Sequence, residues 1–169
     1  MTSFTGGRTV IIDSGTTTAE LAEQIHESSL QSIIVISNAL NVAMILANAP
    51  MVRLIMPGGI LRRESNSLSG CIGEAALAEL RADRVFLGPD SIDPAIGVMT
   101  SHLPEAQLNL KMIEIARQII VVADASKLQR HNISLIAQVE QIDMLITDSS
   151  APAEAVEELR RRGVEVLLA

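Results

Sequence analysis

Asp13-Ser14-Gly15-Thr16-Thr17-Thr18 is the stretch that decides how this chain folds. An apolar run, Thr9-Val10-Ile11-Ile12, leads into it, and a segment of helical period, Ala19-Glu20-Leu21-Ala22-Glu23-Gln24-Ile25, leads out. The pattern is strand, tight turn, helix. Gly15 lets the backbone turn sharply and approach a ligand closely. Ser14 and the three threonines place four hydroxyls at the helix start. The first N–H groups of a helix have no internal partner and the helix dipole makes that end positive, so the turn suits a phosphate or a carboxylate. An ordinary N-cap needs a single hydroxyl. Four of them around a glycine exceed that need.

Outward from this turn, apolar runs alternate with helical segments. Ile33–Ile36 is a second strand, ending at Ser37-Asn38, which caps a helix over Ala39–Ala47 that Pro50 stops. Val52–Met56 is a third strand, closed by Pro57-Gly58-Gly59, and residues 60–70 read as irregular or a short strand pair. A helix is expected over Ile72–Ala82 with Ile72, Ala76 and Leu80 on one face, then a strand at Val85-Phe86-Leu87 and the loop Gly88–Pro94. Gly97–Thr100 precedes a helix starting near Pro104, and Ile119–Ala123 is a fifth strand ending at Asp124–Lys127. Ile133–Ala137 is a candidate short strand and Met144–Thr147 a sixth main strand. Pro152 opens a helix that Arg160–Arg162 and Gly163 close, before a last strand at Val164–Leu168. Consecutive apolar residues in strands that alternate with helices imply an α/β fold: doubly wound, with a largely parallel sheet covered by helices on both faces. Ligands bind such folds at the carboxyl ends of the strands, where the chain carries Asp13–Thr18, Ser37-Asn38, Gly58-Gly59, Gly88–Asp93 and Asp124–Lys127.

Composition narrows the partners. With 169 residues, 48% of them hydrophobic, the chain is long enough for one domain with a real core. Its 13 basic residues against 20 acidic ones give a net charge of −7 and make it a poor DNA binder by itself. With only Phe4 and Phe86 as aromatic residues, single-strand recognition by base stacking is excluded. No apolar run approaches the roughly 20 residues of a membrane span, so no membrane partner is expected. The polar start lacks a signal peptide and Cys71 is alone, which together point to a cytoplasmic protein. Cys71 is expected to be a buried small hydrophobe rather than a reactive thiol. His26, His102 and His131 are scattered and form no metal-ligand pattern; neither a metal nor a cofactor is expected.

A hydroxyl-rich helix start, a Gly-Gly turn, Asp90 and Asp93 three residues apart and Lys127 after a strand fit an anionic, polyhydroxylated ligand. N–H groups, hydroxyls and Lys127 would hold a phosphate, and carboxylates would accept sugar hydroxyls. Blander roles compete: Asp93-Pro94 is a common turn pair, Lys127 could be a solvated surface group and Asp124 a cap.

The succession Asp13–Thr18, Ser37-Asn38, Gly58-Gly59 with Leu61-Arg62, Arg81–Gly88, Asp90–Pro94, Ala123–Lys127 and Ile142-Asp143 with Thr147-Asp148 resembles the C-terminal sensor domain of DeoR-type bacterial transcriptional repressors of sugar catabolism. The resemblance covers about residues 9–169, leaving residues 1–8 as a loose leader or the remnant of a cut through a longer protein. It implies a fold like that of ribose-5-phosphate isomerase, a phosphorylated sugar as effector, modulation of DNA binding in the intact regulator, and assembly into a homo-oligomer, a dimer or a tetramer. It also implies an N-terminal winged helix-turn-helix, which is expected to be absent here because nothing before Asp13 could form one. By the same resemblance Ser14–Thr18 and Lys127 would grip the phosphate and Asp90, Asp93 and Glu105 would face the sugar, with Gly58, Gly59 and Arg62 lining the opposite wall. Asn38 and Asp13 would complete the ligand-binding set. Asn109 stands where many relatives carry Lys and is similar to the N-acetylgalactosamine, AgaR-type regulators, which suggests an amino-sugar or tagatose-type phosphate. Gly88-Pro89-Asp90-Ser91 replaces the commoner Gly-Ala-Asp-Gly, so a stiffer loop is expected.

The alternative is a sugar-phosphate isomerase, which needs a carboxylate base and a group to stabilise the enediolate oxygen. The isomerases that the fold resembles carry Lys-Gly-Gly about ten residues after the aspartates; this chain has Gly97-Val98-Met99-Thr100-Ser101-His102 there. No catalytic residue is therefore assigned, and a sensor rather than an enzyme is expected.

Overall fold

The computed structural model describes residues 8–28, 32–128 and 130–169. Strand β1 (Arg8–Ile12) passes through the Asp13–Gly15 turn into helix α1 (Thr16–Glu27), and β2 (Ile33–Ser37) is followed by α2 (Leu40–Leu46) and β3 (Val52–Ile55). A hairpin of β4 (Ile60–Arg62) and β5 (Ser67–Ser69) precedes α3 (Cys71–Ala78) and β6 (Ala82–Leu87). A second hairpin, β7 (Ser91–Asp93) with β8 (Gly97–Thr100), precedes α4 (Leu103–Ile115) and β9 (Ala116–Val122). A 3-10 turn at Ala125–Lys127, β10 (Ser134–Gln138), β11 (Met144–Thr147), α5 (Ala153–Arg161) and β12 (Glu165–Leu168) complete the chain. Of the expected leader, residues 1–7 lie outside the described residues, and Arg8 already belongs to β1.

Seven strands form one parallel sheet in the order β12-β11-β9-β6-β1-β2-β3. Successive side chains of a strand point to opposite faces. Val10 and Ile12 of β1 accordingly join one core with Ala22 of α1 and Val42 and Leu46 of α2. Ile11 joins the other, with Leu77 of α3, Leu108 and Met112 of α4 and Leu159 of α5. Burial on both faces is why the strands read as unbroken apolar runs, and the doubly wound α/β expectation holds. Strand order reverses between β1 and β6: β2 and β3 extend to one side, β9, β11 and β12 to the other. At such a reversal the helices diverge and leave a crevice. Among the described residues, no helix is long and apolar enough to cross a membrane.

Three details differ from expectation. A separate antiparallel sheet, β10-β8-β7, stands beside the parallel one, with the candidate strand near Ile133–Ala137 appearing as β10. Helix α3 stops at Ala78 because Ala82 already pairs with Ala116 in the sheet, and its buried face is carried by Gly73 and Leu77, leaving Ile72 exposed. Cys71, expected to be buried, is exposed: it is the first residue of α3 and lies off that buried face.

Candidate functional site

The β1–α1 turn lies at the sheet's reversal point. Asp13 donates its backbone N–H to the Phe86 carbonyl (3.0 Å), and its Oδ2 accepts from the Gly88 N–H (3.3 Å), so it bridges the ends of β1 and β6. The two loops touch closely: a Cβ on Gly88 would come within 2.8 Å of the Ser14 carbonyl oxygen. Gly15, at φ 149°, occupies the N-cap of α1, and no side chain caps that helix. The hydroxyls divide. Thr18 turns inward and donates to the Gly15 carbonyl (3.1 Å), whereas Ser14, Thr16 and Thr17 line an adjoining cavity of about 410 Å³.

Glu105, in the first turn of α4, is the hub of the opposite wall. It is 8% exposed. Its Oε1 accepts from the Ser14 and Ser67 hydroxyls, both at 3.2 Å, and its Oε2 accepts from Arg62 Nη1 at 2.7 Å. Neutral donors and a guanidinium together satisfy a carboxylate that burial alone would disfavour. The same contacts tie the β4–β5 hairpin to α4 and to the β1–α1 turn.

On the far side, Asp90 accepts from the Thr100 hydroxyl (2.8 Å), the Ser101 N–H (2.9 Å) and the Ser101 hydroxyl (3.0 Å). Partial burial pushes its carboxyl upward, but those bonds and the nearby Lys127 charge prevail and hold it below the ordinary carboxylate value. Lys127 ends a 3-10 turn that Asp124 opens by accepting from the Ser126 N–H (2.8 Å). Asp148 fixes the same turn by accepting from the Ala125 N–H (2.7 Å). Asp124 and Asp148 therefore serve the loop that presents Lys127.

Asp13 is the most perturbed acid. Burial raises its carboxyl to about 7, against the Asn109 amide and the Ser14 and Gly88 N–H groups, which favour the charged form, and with the Glu105 charge adding to the rise. Among the described residues its Oδ1 accepts no hydrogen bond of normal geometry: the Asn109 amide, which donates to Met112 Sδ (3.7 Å), and the Ser14 N–H act on the carboxyl from nearby without bonding to that oxygen.

Of the residues singled out in the sequence, Asp13, Ser14, Gly15, Thr16, Thr17, Arg62, Asp90, Glu105 and Lys127 line the cavity. Thr18, Asn38, Gly58, Gly59 and Asp93 do not. Asn38 instead holds the β4–β5 hairpin, its amide donating to the Leu68 carbonyl (3.3 Å). Gly58 and Gly59 have positive φ, and a Cβ on Gly59 would meet the Ser69 carbonyl oxygen at 2.5 Å, so Gly59 lets the chain enter β4 close against β5. Asp93 closes the β7–β8 turn, accepting from the Ala95 (2.7 Å) and Ile96 (2.9 Å) N–H groups and facing His131 at 3.3 Å. Sequence reasoning missed Asn41 of α2, Ser65 and Asn66 of the β4–β5 turn, and Thr100, all on the cavity wall. The only local signal was Asn66, whose φ of 50° is one that Asn tolerates better than most residues. Among the described residues, no three His, Cys, Asp or Glu side chains are placed to hold a metal.

Comparison with known proteins agrees with this architecture. A D-ribose-5-phosphate isomerase in complex with phospho-erythronic acid superposes with a TM-score of 0.52 at 14% identity, over 74% of this chain and 48% of that one. A Pyrococcus horikoshii translation initiation factor eIF-2B gives 0.52 at 16% identity, over 82% and 56%. At such identity the likeness is one of fold alone. Sequence relatives are transcriptional regulators. One from Escherichia coli O157:H7, named as an aga operon transcriptional repressor, is 44% identical over 96% of this chain and 60% of its own length. The regulator GlpR of Haloferax volcanii is 34% identical over 95% and 62%, and the glycerol-3-phosphate regulon repressor of Escherichia coli K12 is 29% identical over 96% and 64%. The chain thus spans about three fifths of the length of these curated relatives. Its residues 2–149 match the family model of the DeoR C terminal sensor domain, and the chain belongs to that family.

Proposed function

We propose that the cavity binds a phosphorylated sugar and that its occupancy modulates DNA binding by the regulator of which this domain is the effector-binding part. The observation that carries the reading is the meeting of an uncapped helix N-terminus and Lys127 in one cavity with Asp90 and Glu105. Free N–H groups, the Ser14, Thr16 and Thr17 hydroxyls and one ammonium suit a phosphate; carboxylates suit sugar hydroxyls. Asn41, Ser65 and Asn66 extend the polar wall on the sugar side, while Asp93, Gly58 and Gly59 drop out of the proposed contact set. Relatives named for an aga operon and for a glycerol-3-phosphate regulon support a phosphorylated metabolite as the effector class. The 44% identity to a regulator named for an aga operon supports the amino-sugar or tagatose-type phosphate that the Asn109 resemblance suggested. In the intact homo-oligomeric regulator the sugar would shift the arrangement of sensor domains, and a coupling of about 1–3 kcal/mol would change operator affinity by about five- to 150-fold.

A thermal-shift panel tests this reading. Galactosamine 6-phosphate, N-acetylgalactosamine 6-phosphate, tagatose 6-phosphate, glycerol 3-phosphate and ribose 5-phosphate are compared with their unphosphorylated parents. A ligand at 100 times its dissociation constant adds about 2.7 kcal/mol of stability. At least one phosphorylated compound is expected to raise the melting temperature, and its unphosphorylated parent is not; a flat panel removes the proposal. No aldose–ketose turnover is expected, because the stretch Gly97–His102 lacks the lysine and glycine pair of the isomerases and Glu105 is held by Arg62 and two hydroxyls. Conversion of ribose 5-phosphate above background and abolished by Glu105→Gln would reverse that conclusion.

A further inference from the structure

The arrangement around Asp13 has a consequence for how an anion can bind. Asp13 is 3% exposed and forms part of the cavity wall. One oxygen accepts from the Gly88 N–H; the other is enclosed and has no partner among the described residues. The two cations on the same cavity wall, Arg62 and Lys127, are engaged with other carboxylates. Helix α4 contributes the Asn109 amide and the Glu105 carboxylate, and β4 contributes Arg62, which is bound to Glu105. The 3-10 turn contributes Lys127, which acts on Asp90. The ends of β1 and β6 contribute only backbone N–H groups, and no Lys or Arg is among the groups that set the ionisation of Asp13.

A buried carboxylate oxygen without a donor is unfavourable; protonation removes the charge and leaves an O–H that needs an acceptor. An anion at the start of α1 would add a second negative charge to the same poorly solvated space. The dianion of a phosphate monoester, like sulfate, carries acceptors and no donors, so an unprotonated Asp13 would meet it as acceptor against acceptor. A protonated one would meet it as donor against acceptor.

We infer that Asp13 takes up one proton from solvent when the cavity holds an anion and donates its O–H to that ligand, so that anion binding by this domain is proton-coupled. The inference rests on the proposed placement of the phosphate at the α1 N-terminus. The cost is small. A carboxyl at about 7 is already protonated in about half of the molecules at neutral pH, whereas an ordinary one is protonated in about one in a thousand. The direction of the effect follows. Above about pH 7 the complex holds one more proton than the free domain, so affinity falls as pH rises, by up to about tenfold per pH unit. Below that the proton is already present and affinity levels off. Asp13 would also be a specificity-determining residue: it favours a ligand that presents an acceptor at this point.

Sulfate is the probe, since it does not itself titrate near neutral pH. Carboxyl carbon NMR of the 169-residue chain should place the midpoint of Asp13 near 7 without sulfate and at least about one unit higher with saturating sulfate. Sulfate affinity of the parent should fall from pH 7.5 to 8.5 by about 2.5-fold if sulfate moves the midpoint one unit, and by up to about eightfold for a larger move. Asp13→Asn keeps the shape and supplies a donor without titrating, so its affinity should be level over that range. An Asp13 midpoint in the ordinary carboxylate range, a midpoint that sulfate does not move, or identical pH profiles for parent and Asp13→Asn would each overturn the inference. The outcomes also separate it from the sugar reading. A sulfate-dependent midpoint with a flat sugar-phosphate panel keeps the coupling and removes the sugar, whereas sugar-phosphate binding that is level across this pH range does the reverse.

Discussion

Asp13→Asn should make the ligand-free domain more stable at pH 8, and much less so at pH 5. The parent holds Asp13 at about 7, whereas the unfolded chain titrates it near 3.9. Between those values the folded state binds the extra proton, so this group makes stability fall with rising pH by about 1.4 kcal/mol per unit. The whole displacement is equivalent to about 4 kcal/mol, of which about 3 kcal/mol is lost between pH 5 and 8. The amide variant has nothing to ionise and should lose none of it. Asp90, Asp124 and Asp148 act in the opposite sense. Their carboxyls are held below the ordinary value, so the stability they add is present above it and is lost as pH falls further. The parent should therefore be most stable near pH 4–5. Urea unfolding at pH 5, 6.5 and 8 measures both proteins; parallel pH profiles would show that Asp13 is an ordinary ionised carboxylate.

The second large effect is expected at Glu105. Its replacement by Ala leaves Arg62 with only the exposed Glu64, at 3.8 Å, as counter-charge, leaves the buried Ser14 hydroxyl without its acceptor and leaves Ser67 only its contact with Ser65. Breaking a buried pair from one side costs about 3–5 kcal/mol. Arg62 keeps 27% of its side chain in water, so about 2–3 kcal/mol is expected here. The loss should be local before it is global. The β4–β5 hairpin is tied to α2 by the Leu68 N–H to Asn38 carbonyl bond and the Leu40 N–H to Asn66 carbonyl bond, both 2.8 Å, and to the rest of the wall through Glu105. Hydrogen exchange at Leu40 and Leu68 should accelerate by at least about tenfold, more than at β1 or β6. Unchanged exchange in the hairpin would mean that Glu105 does not hold that wall.

What the sequence revealed depended on how local the cause was. The β1–α1 turn was legible because its determinants are contiguous: an apolar strand, Gly15 at the N-cap and a helix of clear period. The parallel sheet was legible because burial on both faces leaves unbroken apolar runs. Asp93 was misplaced because a carboxylate before a proline has the same local pattern whether it faces a ligand or closes a turn. Only the Ala95 and Ile96 contacts decide between them. Gly58 and Gly59 misled for a related reason: Gly59 passes close to the Ser69 carbonyl, ten residues away, and the Gly58 carbonyl lies against Gly73, where a Cβ would come within 2.7 Å of it. Asn41, Ser65 and Asn66 were missed because they reach the cavity through the β4–β5 hairpin docking on α2, a long-range pairing that leaves no periodic mark. Cys71 was misjudged because a small apolar residue at a helix start does not show which way that helix faces; Gly73 and Leu77 took the buried positions.

The central claim, that the α1 N-terminus and Lys127 together hold a phosphate, is tested most directly by calorimetric titration of the parent and of Lys127→Met. Each protein is titrated with the best sugar phosphate of the panel and with its unphosphorylated parent sugar. Lys127 is half-buried on the cavity wall, and the substitution keeps the length of its stem while removing the ammonium. A hydrogen bond to a charged group contributes about 1.5–3 kcal/mol, so the phosphorylated sugar should bind the variant about ten- to a hundredfold more weakly. The unphosphorylated sugar should bind both proteins weakly and alike. Equal affinity of the two proteins for the phosphorylated sugar would contradict the account.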